Sequence, residues 1–378
     1  MSILKVDELQ SRTSGNRITL PDVNNYPPYR NIIINGDMSI AQRGTSATGL
    51  GNGDSGYHTC DRWRFNETGT PTFEFTQTQD TDVPTGQGFA TSLKMDCTTA
   101  QGSLGVDEFL LISQRFEGQN LQYLKKGTSN AESLTLSFWV KSNKTGTYIC
   151  EFQDQDNTSQ ISKSYTINAS NTWEKKTITF EGDTTGAIDN DNARSLDFNF
   201  WLAAGTDWTS GTLATSWQSY DATDRAVGQV NLADNTANEW YLTGVQLEVG
   251  DSATPFEHLP YDVNLQRCQR YFYREVDDDS SMFTWVGFVD SSTTAYLQHP
   301  HLVEMRAEPS MSTTGTAGDY SIRIGGNTIG CSSVPSLSSG NRRVAHVQWS
   351  VSSGLTAGQA VIGKFDAADK YIDWSAEL

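Results

Sequence analysis

The side chains that could do chemistry in this chain are few and loosely spaced. Acyl transfer needs a Ser or Cys beside a base that a third group orients. The five histidines stand at 58, 258, 299, 301 and 346. The nearest look-alike of a nucleophile elbow, "GDSGYH" at 53–58, lacks the strand–turn–helix context and reads as a turn. "HPH" at 299–301 puts two imidazoles on one side of an extended chain. A metal pair is one reading of it and an edge-strand surface is the expected one. "DQDN" at 154–157 and "DNDN" at 189–192 resemble pieces of a Ca²⁺ loop without the full EF-hand ligand order. Solvated turns are the expectation, with a structural Ca²⁺ as the alternative, and no cofactor is expected. "DDD" at 277–279 reads as an exposed turn. Aromatic side chains off the core faces offer more, because sugar rings stack their C–H faces on flat aromatics while loop Asp, Asn and Gln bind hydroxyls. Trp201 opposes the apolar face of its strand, Trp208 and Trp217 lie in a long polar loop, and Tyr220 is close by. These four are the candidate glycan contacts. Trp139 also opposes its strand's core face and could serve an interface between subunits.

The elements that would position them are strands. "SLTLSFWVKS" sends Leu134, Leu136, Phe138 and Val140 one way and Thr135, Ser137, Trp139 and Lys141 the other. "SLDFNFWLAA" groups Leu196, Phe198, Phe200 and Leu202, and "KKTITFEG" groups Ile178 and Phe180. "EWYLTGVQLEVG" is expected to carry Tyr241, Thr243, Val245, Leu247 and Val249 on one face. "RNIIINGD" reads as a buried strand followed by a tight turn. Period two with one apolar face means antiparallel sheets covering one another. Many strands joined by long polar loops over about 220 residues fit a jelly-roll sandwich. Pro255 and Pro260 interrupt the pattern, and "DVNLQRCQRYF" then reads as a short helix with Asp262 as N-cap. Strand signals return to the end of the chain. The expected organisation is an extended N-terminal arm at 1–30, a jelly roll at 31–260 and a smaller β-domain at 261–378.

Composition agrees with an all-β chain: 32 glycines, 11 % aromatics and only 19 % charged residues among 378. A formal charge of −18 opposes non-specific nucleic-acid binding. No window nears 18 apolar residues, so no membrane insertion is expected, and the start lacks the pattern of a signal peptide. Five cysteines at 60, 97, 150, 268 and 331 show neither metal-clip nor disulfide-framework spacing. The chain is therefore expected to fold in a reducing cytoplasm. The first thirty residues cannot bury themselves; a disordered tail and an arm that orders against partner chains are the two readings, and Ile3, Leu4, Val6, Leu9, Ile18 and Leu20, too apolar for a pure solvent tail, favour the arm. Meeting two copies of itself about a three-fold axis would bury them.

Longer stretches resemble a known group. "RNIIINGDMSIAQRG", "EFLLISQRFEGQNLQYLKKGTSNAESLTLSFWVKS" and "EWYLTGVQLEVGDSATPFEHLPYDVNLQRCQRYFYR" resemble the opening, middle and close of a domain found in tailed-bacteriophage fibre and virion appendage proteins. "SILKVDELQSRTSGNRITLPD" is similar to their N-terminal segment, and "VEMRAEPSMS" with "DWSAEL" to the small C-terminal domain that follows. The resemblance implies a jelly roll like that of carbohydrate-binding modules, a homotrimer, and no catalytic residues. It implies attachment through the N-terminus to other virion proteins (a tail adaptor or nozzle, or the capsid), and contact with host-surface polysaccharide. A virion location follows, tail before head. The alternatives are a capsid decoration or head-fibre protein and a tailspike-type glycan depolymerase.

Overall fold

The computed structural model describes residues 28–276 and 283–378. The leader positions Ile3, Leu4, Val6, Leu9, Ile18 and Leu20, and the acidic run at 277–279, lie outside the described residues. The described residues are all-β apart from short helical turns and one longer helix, Tyr261–Gln269. Among the described residues no helix is long and apolar enough to cross a membrane.

Two antiparallel sheets form the jelly-roll sandwich. The six-stranded sheet runs in the order Ser46–Gly51, Glu74–Asp80, Ser92–Thr99, Glu239–Val249, Leu134–Ser142, Glu174–Phe180. The seven-stranded sheet runs Gln218–Ser219, Ser159–Ile167, Gly146–Asp154, Arg194–Ala204, Phe109–Glu117, Arg64–Thr68, Gly56–Tyr57. Their facing sides interlock around Phe138, Phe152, Phe198, Phe200, Trp63 and Trp240, with edge-to-face pairs such as Phe138–Phe200 at 5.0 Å. Cys97 and Cys150 are small members of this core, and all five cysteines are free thiols.

A bulge decides which residues of the Glu239–Val249 strand face inward. Its pairing with Leu134–Ser142 slips between Thr243 and Gln246, where Gly244 takes φ +60°. Trp240 and Leu242 point into the core before the slip; Val245 and Leu247 do so after it. Tyr241 and Thr243 therefore lie on the outer face, not with Val245 and Leu247 as strict alternation predicts, and Val249 is exposed.

The gap beside the bulge is closed by residues 31–40, which form a buried loop rather than the strand expected there. Backbone groups that a strand would pair are met by amide side chains. Asn31 donates to the Val245 carbonyl (3.1 Å) and accepts from the Leu247 N–H (3.0 Å). Gln114 binds both polar groups of Ile34. Asn35 spans Ile40 and Asp61. A Cβ on Gly36 would meet the Val245 oxygen at 2.1 Å, so only glycine fits that crossing. Ile32 and Ile33 join the sandwich core, while Ile34 and Ile40 pack on Cys268 and Tyr271.

The helix begins after Pro260, and Asp262 sits in its first turn without capping it. The remaining strands build a three-stranded sheet, Phe272–Val276, Tyr371–Ser375, Ser310–Thr313, and a second seven-stranded sheet. The latter runs Asn327–Gly330, Tyr320–Ile324, Ala360–Phe365, Phe283–Val289, Thr294–Pro300, Val344–Ser350, Ser336–Gly340. These sheets share their own core of Trp285, Trp349, Trp374, Tyr320 and Leu297. His299 and His301 belong to this region, so the "HPH" segment is not an edge-strand surface. Its strand is internal to the sheet, His299 is buried, and Tyr273 Oη bonds His299 Nε2 at 2.6 Å and His301 Nδ1 at 2.7 Å.

Candidate glycan-binding surfaces

Three of the four aromatic candidates of the loop side, Trp201, Trp208 and Tyr220, gather around one cation. Residues 205–231 fold back over the outer face of the seven-stranded sandwich sheet, tied down by Ser162 N–H to Ala214 O and Tyr220 N–H to Thr158 O. Beneath them the Arg225 guanidinium chelates Glu151, at 2.6 and 2.9 Å. Its plane lies over Trp201, Trp208 and Tyr220, 4.8, 5.2 and 5.5 Å from the ring centroids. Trp201 is fully buried and spends its indole N–H on Glu151 at 3.1 Å. It therefore cannot be a glycan contact: its strand alternates as predicted, but the face opposite the core is covered by the loop. Trp208 is half-buried and donates to Asp107 O at 3.1 Å, edge-on to Phe109. Trp217 stands apart, donating to Glu181 O at 2.8 Å with Lys126 over its ring. Trp208, Trp217 and Tyr220 keep part of their surface, but no single flat platform unites them.

The acidic loops serve folding. Asp154 accepts from the N–H groups of Asp156 and Asn157 and pairs with Lys126, which also pairs with Asp183 at 2.7 Å. The Lys126 ammonium occupies the place a bound cation would take between those carboxylates. Among the described residues no three His, Cys, Asp or Glu side chains converge on a metal-sized site.

The outer face of the six-stranded sheet holds the more open arrangement. At one register across three strands, Tyr241 stands opposite Lys141 on one side and opposite Lys94 on the other. Trp173, just before the Glu174–Phe180 strand, completes the row, its ring 6.1 Å from Tyr241. The Lys141 Nζ sits 3.9 Å from the Tyr241 centroid and 5.6 Å from that of Trp173; Lys94 lies 5.5 Å from Tyr241. Aromatic, cation, aromatic and cation thus alternate along the row. Trp139 lies two residues further on, opposite Lys175 and Thr243. Trp139 and Trp173 are half-exposed and Lys175 is exposed, while Tyr241 lies under its two lysines.

Carboxylates frame this row. Asp82 accepts from Trp173 Nε1 at 2.9 Å and pairs with Lys141. Burial raises its pKa, but the hydrogen bonds from Lys141 and Trp173 more than reverse this, leaving it below the usual aspartate range. Glu239 binds Lys94 at 2.7 Å and accepts from Tyr241 Oη at 3.0 Å. The same balance of burial against the Lys94 hydrogen bond leaves its pKa lowered. Asp96, directly opposite Glu239, is pushed upward by burial. Sequence reasoning noticed Trp139 but missed Trp173, Tyr241 and the lysines. Carrying the alternation of "KKTITF" two residues back would have put Trp173 with Lys175 and Thr177 on the outer face. Tyr241 was hidden by the bulge.

No protein-family model matches this chain, and no curated protein does. Solved structures overlap it weakly. The enzymatically active domain of tailspike protein 4 from bacteriophage CBA120 is 16 % identical, with a TM-score of 0.31, over 59 % of this chain and 22 % of that one. A putative sugar binding protein from Bacteroides thetaiotaomicron is 10 % identical, with a TM-score of 0.30, over 58 % of this chain and 100 % of that one. The family 11 carbohydrate-binding module of cellulosomal cellulase Lic26A-Cel5E of Clostridium thermocellum is 10 % identical, with a TM-score of 0.27, over 55 % and 97 %. The chain thus spans about a fifth of the tailspike chain's length. It is the strand order and the interlocked core that make the sandwich a jelly roll.

Proposed function

We propose that this chain is a virion appendage protein of a tailed bacteriophage that binds host-surface polysaccharide through the outer face of its six-stranded sheet. It does so as a homotrimer, attached to tail or capsid proteins by its N-terminal arm and without catalysis of its own. The sequence resemblance supports the virion setting. The observation that carries the binding role is the row Trp173–Lys141–Tyr241–Lys94 with Trp139 beside it: the half-exposed Trp139 and Trp173 rings for sugar C–H groups, and Lys175, Lys94 and Asp82 along the row for hydroxyls and acidic substituents. Each such contact is weak, and a trimer multiplies avidity by roughly 10²–10⁴. Titration of the full chain with host capsular or lipopolysaccharide glycan, followed by calorimetry, tests the reading. Replacing Trp139 and Trp173 together by Ala should weaken binding about tenfold or more in a chain that still unfolds cooperatively. Undiminished binding by that variant would remove the sheet face from consideration.

A second reading, glycan hydrolysis, draws on one observation. Asp96 and Glu239 face each other across two strands, one pushed up and the other held down, the division of pKa values that separates an acid from a base. Release of reducing ends in the same incubations, lost in E239Q, would favour it over simple binding.

A further inference from the structure

The second seven-stranded sheet presents an outer face unlike the rest of this chain. Four adjacent strands of its seven, Phe283–Val289, Thr294–Pro300, Val344–Ser350 and Ser336–Gly340, carry no Asp, Glu, Lys or Arg at all, in a protein whose formal charge is −18. At its centre two large side chains that would ordinarily be buried are in solvent: Phe288 is 53 % exposed and Val286 64 %. Phe288 stands opposite Tyr296 with ring centroids 6.2 Å apart, and the two rings are tilted by 46° into an open V.

The V is the wall of a recess of about 190 Å³, closed on its other sides by Gln298, Ser338 and His346. Pockets for drug-sized ligands run to about 300–1,000 Å³, so this one has room for a single ring. Its polar groups are few and poised. The Gln298 amide and His346 Nε2 lie 3.3 Å apart. An amide N–H donating there fixes Nε2 as acceptor and leaves Nδ1–H pointing away as a donor. Among the described residues the Tyr296 and Ser338 hydroxyls and the Gln298 side-chain oxygen make no hydrogen bond to protein. Hydroxyl, amide and imidazole groups stand beside two aromatic faces, and no Asp, Glu, Lys or Arg lines the recess.

We propose that this recess binds one neutral pyranose ring, stacked on Phe288 and Tyr296 and held at its hydroxyls by Gln298, His346 and Ser338. The site deepens the proposed glycan role by adding a second, uncharged subsite remote in sequence from the lysine-rich sheet face. A stable contact with a second copy buries about 800 Å² on each partner; a single-ring recess edged with hydroxyls and an amide fits a sugar.

Saturation-transfer NMR on the full chain, with methyl glucoside, methyl galactoside and methyl N-acetylglucosaminide as probes, tests this. At least one probe should receive saturation from the wild type. F288A should lower its affinity about tenfold with Tm unchanged, because the ring is already in solvent, while the Trp139→Ala, Trp173→Ala variant should bind it as the wild type does. Equal binding by F288A and wild type would overturn the site, whatever the sheet variant does. Failure of all three probes with the wild type would overturn it too, and would leave the sheet-face reading to its own polysaccharide titration. If sedimentation shows that F288A breaks an oligomer apart, the face is a contact between subunits and the inference falls.

Discussion

The half-buried Glu275 shows how a single side chain sets a pH window. Its carboxylate accepts from Trp374 Nε1 at 3.1 Å and Trp285 Nε1 at 3.4 Å, yet burial outweighs both bonds and pushes its pKa up to about 7. His299 lies 3.6 Å away, but burial holds its pKa down to about 3 and its Nε2 bonds Tyr273, so the two do not form an ion pair at neutral pH. The signs oppose. Glu275 ionises more readily in the unfolded chain, near 4.3, so the native state loses stability as pH rises from there through 7. His299 protonates more readily in the unfolded chain, so stability is lost as pH falls from about 6.5 toward 3. E275Q removes only the first penalty. Chemical denaturation should find it more stable than the wild type by about 1–2 kcal/mol at pH 8, with little difference at pH 4.5. An equal gap at both pH values would mean that Glu275 is not the group responsible. None of this was legible in "HPH", because spacing gives the direction of a side chain along its strand but not what lies over it.

At the scale of the element, alternation was readable wherever a strand was regular. "SLTLSFWVKS" and "SLDFNFWLAA" face the core as their pattern predicts. Two failures have one physical origin each. Trp201 points away from the core as alternation requires, but a loop covers that side, so opposite to the core did not mean exposed. "EWYLTGVQLEVG" contains a bulge, and one extra residue sends every later side chain to the other face. The bulge depends on Gly244, whose φ of +60° suits glycine and whose missing Cβ leaves room for Phe89, which would otherwise be 2.5 Å away. Phe89 is itself wedged edge-on against Phe256 at 5.1 Å, so it cannot swing aside freely. G244A should therefore cost about 1–3 kcal/mol, seen as a lower midpoint in urea with an unchanged slope. It should also weaken polysaccharide binding, since Tyr241 lies three residues before the strained position and carries Lys94 opposite it on the neighbouring strand. Unchanged stability would show that the strand can slip its register at no cost.

For the whole molecule the governing quantity is charge against apolar burial. The described residues already hold two cores of their own, joined by Ile34 and Ile40 against Cys268 and Tyr271 and by the Arg270–Glu117 ion pair at 2.7 Å. Removing residues 1–27 should therefore leave Tm within a degree or two. Assembly is another matter. Each copy carries a formal −18, so three copies repel strongly at low salt. In the proposed trimer, apolar contacts from Ile3, Leu4, Val6, Leu9, Ile18 and Leu20 would have to outweigh that repulsion, and raising salt would screen the repulsion without weakening them. Sedimentation equilibrium should accordingly find the full chain trimeric, with tighter association at 150 mM than at 10 mM NaCl. The shortened chain should be monomeric at both. A trimer that persists without the leader would relocate the contact to the sheets, and one that salt dissociates would mean that ion pairs between copies, not buried side chains, hold it together.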